Sequence, residues 1–303
     1  MSTAVVTAEP PDLDEALAVF RDLRPRLFGI AYRMLGSASE AEDLVQDAWL
    51  RWQATDRSVV VNPGAFLSTA ITRLAINASQ SARARRETYV GPWLPEPVDT
   101  SADPYLGAER EEALGFAMLL LLERLSPHER AAYVLREAFD YPYQQIAAIL
   151  DSTEAAVRQL VSRARKHLAD DRRRPADGAE QRELLEAFVA AARTGNLAAL
   201  ERLLAQDATS VSDGGGVVRA SRIPVVGGTR VARYHCAFAD RFWVGVEVEW
   251  GTANGQSVAL LRGPDGVFAV VTVLISDGRV DRVLWMMNPT KIAALAAGPA
   301  PGR

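Results

Sequence analysis

Four basic side chains, Arg158, Arg163, Arg165 and Lys166, fall on the outer face of a stretch with helical periodicity, and Arg172, Arg173 and Arg174 follow it. Residues 154–174 hold seven basic and three acidic side chains, a net +4, in a chain whose net charge is −4. Guanidinium groups on an exposed helix donate in pairs to phosphates and to guanine edges, so the chemistry they offer is nucleic-acid recognition. A second polar set lies upstream, where Arg73, Asn77, Gln80, Arg83, Arg85 and Arg86 occupy the second half of a helical pattern over 65–86. Arginine beside Asn and Gln suits phosphates and base edges together. A third set has the opposite sign: Asp43, Gln46 and Asp47, with Arg51, make a mostly acidic outer strip on an amphipathic helix. Such a strip is either solvated or a docking surface for a basic partner helix.

The elements that position the first set are readable over 126–168. Ser126-Pro127-His128-Glu129 has the form of a capping box with proline at the first helical position. The helix it opens keeps Ala131, Val134, Leu135 and Ala138 on one face, and a short helix over 143–150 follows, with Ile146, Ile149 and Leu150 inward. Asp151-Ser152-Thr153 reads as a turn, and 154–168 as a third helix with Val157, Leu160, Val161, Ala164 and Leu168 as its apolar stripe. Short helix, tight turn and longer helix is the helix-turn-helix plan. The same charges on an ordinary bundle would form a solvated face, and the turn directly before the arginine cluster favours DNA.

Upstream, the pattern predicts a helix over 13–35, a break at Gly36-Ser37, and a helix capped by Ser39 with Leu44, Ala48 and Trp52 facing a core. Residues 57–63 read as a loop and 109–124 as an amphipathic helix. Between them, 91–108 carries four prolines, with Trp93 and Leu94 set between two of them. A flexible spacer has no need of such an extended hydrophobic peptide, so this linker is expected to dock on something.

The texture changes after Pro175. Helices are expected over 180–194, 197–204 and 228–239, and strands over 209–211, 217–219, 242–250, 257–261, 268–275 and 280–287. Gly214-Gly215-Gly216, Asn254-Gly255, Asp265-Gly266 and Asp277-Gly278 are hairpin turn signals. The expected fold is a multi-domain chain: a tail over 1–10, an all-α domain over 11–90, the linker over 91–108, an all-α domain over 109–174, and an α+β domain with a curved antiparallel sheet over 177–297. One cysteine, Cys236, excludes an internal disulfide framework and a cysteine-rich zinc site, and reads as a small buried hydrophobe. With three histidines in the chain, no metal site is expected. The N-terminus has no signal-peptide pattern, and the apolar run over 116–122 is too short to cross a bilayer, so a cytoplasmic protein is expected.

Residues 20–86 resemble region 2 of the extracytoplasmic-function (ECF) sigma factors, through Glu42-Asp43-Leu44-Val45-Gln46-Asp47-Ala48 and the helix from Phe66-Leu67 to Asn77. Residues 115–168 resemble region 4, through Leu125-Ser126-Pro127-His128-Glu129-Arg130 and Tyr143-Gln144-Gln145-Ile146-Ala147 to Val157-Arg158. Residues 180–294 look like a SnoaL-like domain of the nuclear-transport-factor-2-like superfamily. The few sigma factors with this appendage share three motifs, present here as Trp93-Leu94-Pro95-Glu96-Pro97, Asp213-Gly214-Gly215-Gly216 and Asn288-Pro289-Thr290-Lys291-Ile292. Two departures are visible: Val217-Val218 precede Arg219 where a basic residue usually follows the glycines, and Gln159-Leu160 stand where polar or basic residues are common.

The resemblance implies an alternative sigma factor with no catalytic residues, cofactor or metal, monomeric outside the holoenzyme. Its partners would be core RNA polymerase and promoter DNA. Asp43, Gln46 and Asp47 would dock on the β′ clamp helices, and region 4 on the β flap. Asn62, Arg73, Asn77 and Arg83 would read and help melt the −10 element, where flipped bases need pockets and stacking. Glu154, Arg158, Ser162, Arg163 and Arg165 would enter the −35 major groove. Trp93, Leu94, Asp213, Gly214, Gly215, Gly216, Asn288, Pro289 and Lys291 would form regulatory contacts between domains, with no separate anti-sigma protein required. The alternative for the appended domain is a small-molecule sensor or an isomerase- or cyclase-type enzyme. An isomerase-type site needs an acidic base in an apolar cavity with a donor to the oxyanion. Asp213 is the one acid with a motif around it, its glycines equally mark a hairpin turn, and no Tyr–Asp or His–Asp pair is evident.

Overall fold

The computed structural model describes residues 13–100, 115–169 and 177–296. The first apolar stripe, with Phe20, Leu27, Ile30 and Ala31, forms α1 (Leu13–Leu35). Gly36 turns the chain at φ +65°. Ser37, rather than Ser39, caps α2 (Ala38–Ala54), accepting from the Glu40 N–H at 3.3 Å. The expected cap sits two residues too late because Ser39 is already helical. A short 3-10 turn (Arg57–Val59) leads to α3 (Pro63–Glu87), with proline at its start and Asn62 as its cap.

Four helices follow the linker: α4 (Phe116–Leu122), α5 (Pro127–Glu137), α6 (Tyr143–Ile149) and α7 (Glu154–Ala169). The capping box at Ser126 and Glu129 is complete. The expected helix over 109–124 is described from Phe116 onward, and its earlier part lies outside the described residues.

These helices do not form two separate cores. One cluster of buried residues runs from Ala16, Trp52 and Ile71 through Leu119 and Val134 to Val161 and Leu168. Polar contacts cross the seam: Ser68 and Tyr141 hydroxyls meet at 2.7 Å, the Arg26 guanidinium donates to Phe139 O at 3.2 Å, and Arg130 donates to Met34 O at 2.7 Å. The Arg26 guanidinium also lies 4.7 Å from the Tyr141 ring centre.

The C-terminal part opens with α8 (Gly178–Arg193) and α9 (Leu197–Leu203). The strands are β1 (Leu204–Asp213), β2 (Val225–Val226), β3 (Glu247–Ala253), β4 (Gln256–Gly263), β5 (Gly266–Ser276) and β6 (Arg279–Met286). Helices α10 (Gly228–Ala237) and α11 (Ala239–Phe242) interrupt them, and α12 (Pro289–Ala296) closes the domain. The six strands form one sheet in the order β2-β1-β6-β5-β4-β3.

This α+β architecture is the expected one, with three differences. The sheet is mixed, because the chain leaves β1 and returns beside it as β6 in parallel. Residues 217–219 are not a strand: the chain turns over 214–218, where Gly214 O accepts from the Val217 and Val218 N–H groups at 3.1 and 3.0 Å. Residues 242–246 precede β3, Phe242 belonging to α11. Cys236 is half-buried rather than buried, and burial raises its thiol pKa.

Both faces of the sheet are covered. Ala269, Val271, Val273 and Ile275 of β5 join Leu185 and Phe188 of α8 in one core. Val270 and Leu274 point the other way, to Leu94 of the linker, Phe116 of α4 and Ile292 of α12. This two-sided burial explains why β5 reads as a near-continuous apolar run. Among the described residues, no helix is long and apolar enough to cross a membrane.

Gly36 is held against the linker, where an added Cβ would lie 2.6 Å from the Trp93 ring. Its backbone conformation also disfavours any other residue. Gly36→Ala is expected to cost about 1–3 kcal/mol and to speed cleavage in the linker, checked by urea unfolding and limited proteolysis.

Candidate functional site

Asp213 ends β1 with no solvent exposure. A buried carboxylate costs several kcal/mol unless it is paired and hydrogen-bonded. Here four donors surround it. Oδ1 accepts from the Tyr89 hydroxyl at 2.5 Å and the Gly215 N–H at 3.1 Å. Oδ2 accepts from the Leu94 N–H at 2.8 Å and from Lys291 Nζ at 2.7 Å. Lys291 also donates to Leu94 O at 2.6 Å and lies 4.2 Å from the Trp93 ring centre. The same ring takes the Arg86 guanidinium at 3.6 Å. Arg86 bonds Leu35 O and pairs with Glu123, which also accepts from Arg130 at 2.7 Å.

Asn288 completes this node. Its Nδ2 donates to the Tyr89 hydroxyl at 2.9 Å, and its Oδ1 accepts from Thr290 N at 3.1 Å, capping α12 just before Pro289. A Cβ on Gly215, at φ +62°, would run into the Asn288 side chain. Gly214 is buried beside the node, and Gly216 packs on Val90.

The linker is tied at a second point. The Glu96 carboxylate accepts from the Ala38 N–H at 2.9 Å, the Ser39 N–H at 3.3 Å and the Ser37 hydroxyl at 3.0 Å. It thus places a negative charge on the N-terminus of α2. Glu96 O accepts from the Tyr32 hydroxyl at 2.6 Å, which in turn accepts from Asn254 Nδ2 at 2.6 Å. The Asn254 side-chain carbonyl takes the Val98 N–H at 3.0 Å.

Burial pulls Lys291 down to about 8 from its ordinary 10.5, with Asp213 opposing the shift. Burial, and then the Asp213 carboxylate, push Tyr89 up. On the helix-covered face of the sheet, His235 is held neutral by burial at a pKa of about 4 and meets Ser210 at 3.1 Å.

The motif residues Trp93, Leu94, Asp213, Gly215, Asn288 and Lys291 therefore converge. Tyr89, Glu96, Tyr32, Arg86 and Asn254 do the same work but were not among the expected contacts. Glu96 stood inside a motif, whereas Tyr89 gave no signal and Asn254 read only as a hairpin turn, which it also is at φ 55°. A Tyr–Asp pair exists after all, joined across 124 residues. With the four acceptor positions of its carboxylate taken by donors, Asp213 has no free lone pair to serve as a general base.

Of the residues expected to meet nucleic acid, Glu154, Arg158, Ser162, Arg163 and Arg165 are exposed on α7. Arg158 pairs with Glu154 at 2.5 Å, Arg163 with Glu129 at 3.0 Å and Arg165 with Glu137 at 2.7 Å. On α3, Arg73, Asn77 and Arg83 are exposed, but Arg73 Nε donates to Ile149 O at the end of α6, 3.1 Å away. Asn62 is not free to read a base with its side-chain carbonyl, which caps α3 through the Ala65 N–H at 2.9 Å. Asp43, Gln46 and Asp47 line the outer face of α2, and Leu50, 60% exposed, continues their row.

Residues 19–86 match the family Sigma-70 region 2, and 116–168 match Sigma-70, region 4. The chain is 36% identical over 290 residues to the ECF RNA polymerase sigma factor SigJ of Mycobacterium tuberculosis, covering 90% of this chain and 91% of that protein. It is 29% identical to the probable ECF RNA polymerase sigma factor SigI of the same species, over 94% and 97% of the two chains. The crystal structure of M. tuberculosis SigJ superposes with a TM-score of 0.74 at 33% identity, over 91% of this chain and 98% of that one.

Replacing Lys291 with Met strands the buried Asp213 charge and is expected to cost about 3–5 kcal/mol in urea unfolding. Adding Asp213→Asn is expected to recover part of that loss, because the two sites are coupled. The pH dependence has a defined sign. Between pH 8 and 10.5 the unfolded chain still holds the Lys291 proton that the folded protein has shed, so this group makes stability rise with pH. Tyr89, raised in the folded state, opposes this once unfolded tyrosines ionise near pH 10. From about pH 8 to 9.5, the urea midpoint of wild type should therefore climb relative to Lys291→Met.

Proposed function

The chain belongs to the ECF RNA polymerase sigma factors, and from that premise we propose that its compact arrangement is a closed state, held by the C-terminal domain through the linker. As a sigma factor it works with core RNA polymerase and directs promoter-specific transcription initiation. Positions −10 and −35 are by their numbering 25 base pairs apart, roughly 85 Å of duplex at about 3.4 Å per step. Two reading units that share one core cannot straddle that length.

The observation that carries this reading is the hydrogen bond from Arg73 to Ile149 O. A residue of the −10 surface is spent on the helix-turn-helix unit, so engaging the promoter requires the two to part. Asp213 and Lys291 tie the linker down at Leu94, and Glu96 and Asn254 fix its other end. The C-terminal domain then regulates in cis, without a separate anti-sigma protein, and is not an enzyme.

Within this reading, Asp43, Gln46 and Asp47, with Leu50, dock on the β′ clamp helices in the cytoplasm, and the α4–α7 unit meets the β flap. Arg73, Asn77 and Arg83 serve the −10 element, with Asn62 shaping the loop before them. Glu154, Arg158, Ser162, Arg163 and Arg165 enter the −35 groove. The domains run over 11–90, 109–174 and 177–297. One observation favours a second reading, ligand sensing: Trp285 Nε1 is buried with no hydrogen-bond partner, beside the stacked ring of His235 at 5.3 Å. A thermal-shift screen with acceptor-bearing aromatic compounds tests that reading.

Run-off transcription with core polymerase tests the closed state. Truncation from Asn288, and the milder Tyr89→Phe, are expected to raise promoter activity; equal activity in all three proteins would remove the regulatory role. In the same assay Arg158→Ala is expected to lose about 1–3 kcal/mol of promoter affinity with its unfolding midpoint unchanged.

A further inference from the structure

Five arginines of the C-terminal domain, Arg219, Arg222, Arg230, Arg233 and Arg241, are exposed and make no ion pair among the described residues. The arginines of α7 differ, since Arg158, Arg163 and Arg165 each face a carboxylate. Residues 214–243 hold five basic side chains and one acidic, a net +4, whereas the rest of 177–296 holds seven basic and twelve acidic, a net −5. Uncompensated positive charge concentrated on an otherwise acidic domain calls for an anionic partner.

Position suggests which one. The loop over 214–222 packs against the residues that directly follow α3: a Cβ on Gly91 would lie 3.6 Å from Arg222 Cα, and one on Gly216 would lie 3.0 Å from Val90 Cβ. A groove of about 270 Å³ runs between them, lined by Val90, Gly91, Gly214, Gly216, Arg219 and Arg222. The exposed Arg83 lies less than three turns of α3 before this groove and makes no ion pair among the described residues. The residues that directly follow α3 thus border the basic loop of the appended domain. The Tyr89–Asp213 bond holds the loop beside the end of α3.

We propose that the 214–222 loop is a nucleic-acid backbone contact: promoter DNA lying along α3 passes over the groove, and Arg219 and Arg222 bind its phosphates. This rests on the reading that α3 carries the −10 surface. Guanidinium groups match phosphate oxygens in pairs. The loop's other exposed side chains, Val217 and Ile223 beside it, carry no polar atoms to read base edges, so the contact adds affinity without sequence preference.

The test uses full-length protein assembled with core polymerase, with promoter affinity measured across a potassium chloride series. For Arg219→Gln/Arg222→Gln, the slope of log affinity against log salt should shrink by about 1–2, near 0.9 per phosphate lost, on matched and scrambled promoters alike. The unfolding midpoint and assembly with core polymerase in the absence of DNA should match wild type. An unchanged slope overturns the proposal, as does weakened assembly with core polymerase, which would make the loop a protein-docking surface. Arg73→Ala and Asn77→Ala are run alongside. If they weaken promoter binding while the double variant does not, the loop alone is wrong; if neither set has an effect, the α3 assignment fails and this inference with it.

Discussion

A carboxylate with no exposure to water has to find its hydrogen bonds inside the protein, and Asp213 finds them in four places along the chain. Tyr89 follows α3, Leu94 belongs to the linker, Gly215 to the next turn and Lys291 to α12. Satisfying one charge therefore fixes the path of the linker and the seat of the last helix. Lys291 carries the opposite constraint, a cation away from water, and meets it with Asp213, the Leu94 carbonyl and the Trp93 ring. Trp93 is held by cations from both sides of the domain boundary, Arg86 and Lys291. Losing any one partner leaves another buried charge short, which is why the node behaves as a unit.

That unit has consequences at a distance. Arg86 passes the constraint to Glu123 and Arg130, and so to the start of the helix-turn-helix unit. Leu94 and Phe116 fill the outer face of the sheet, making the linker and α4 part of the C-terminal core. The helical units meanwhile share their own core. By contrast, the α7 arginines themselves are exposed, and the Arg158–Glu154 pair, open to solvent on both sides, is worth little. Breaking such exposed contacts costs little, whereas release of the linker means separating buried charges.

Local features of this protein were legible without coordinates because their causes lie within a few residues. The capping box at Ser126, the stripe of Val157, Val161, Ala164 and Leu168, and the Asn254-Gly255 turn depend on neighbours in sequence, and each formed as expected. So did the exposure of the α7 arginines and of the acidic strip on α2, since period alone sets which side of a helix faces out. The motif in the linker announced that Trp93 and Leu94 dock, because an apolar extended peptide has little other use.

Tertiary structure alone decided the rest. Whether β1 pairs in parallel with β6, whether 217–219 becomes a strand, and whether two helical units merge into one core depend on segments that the chain brings together from far apart. Tyr89 shows the limit most plainly: nothing around it differs from an ordinary surface tyrosine, and its role exists only because Asp213 arrives from 124 residues away. Sequence by itself determined which residues are helical, basic or apolar, since those properties belong to single residues and their period. Which buried charge each would meet was decided by the fold, because a hydrogen bond needs its two atoms within about 3 Å and only the folded chain sets that distance.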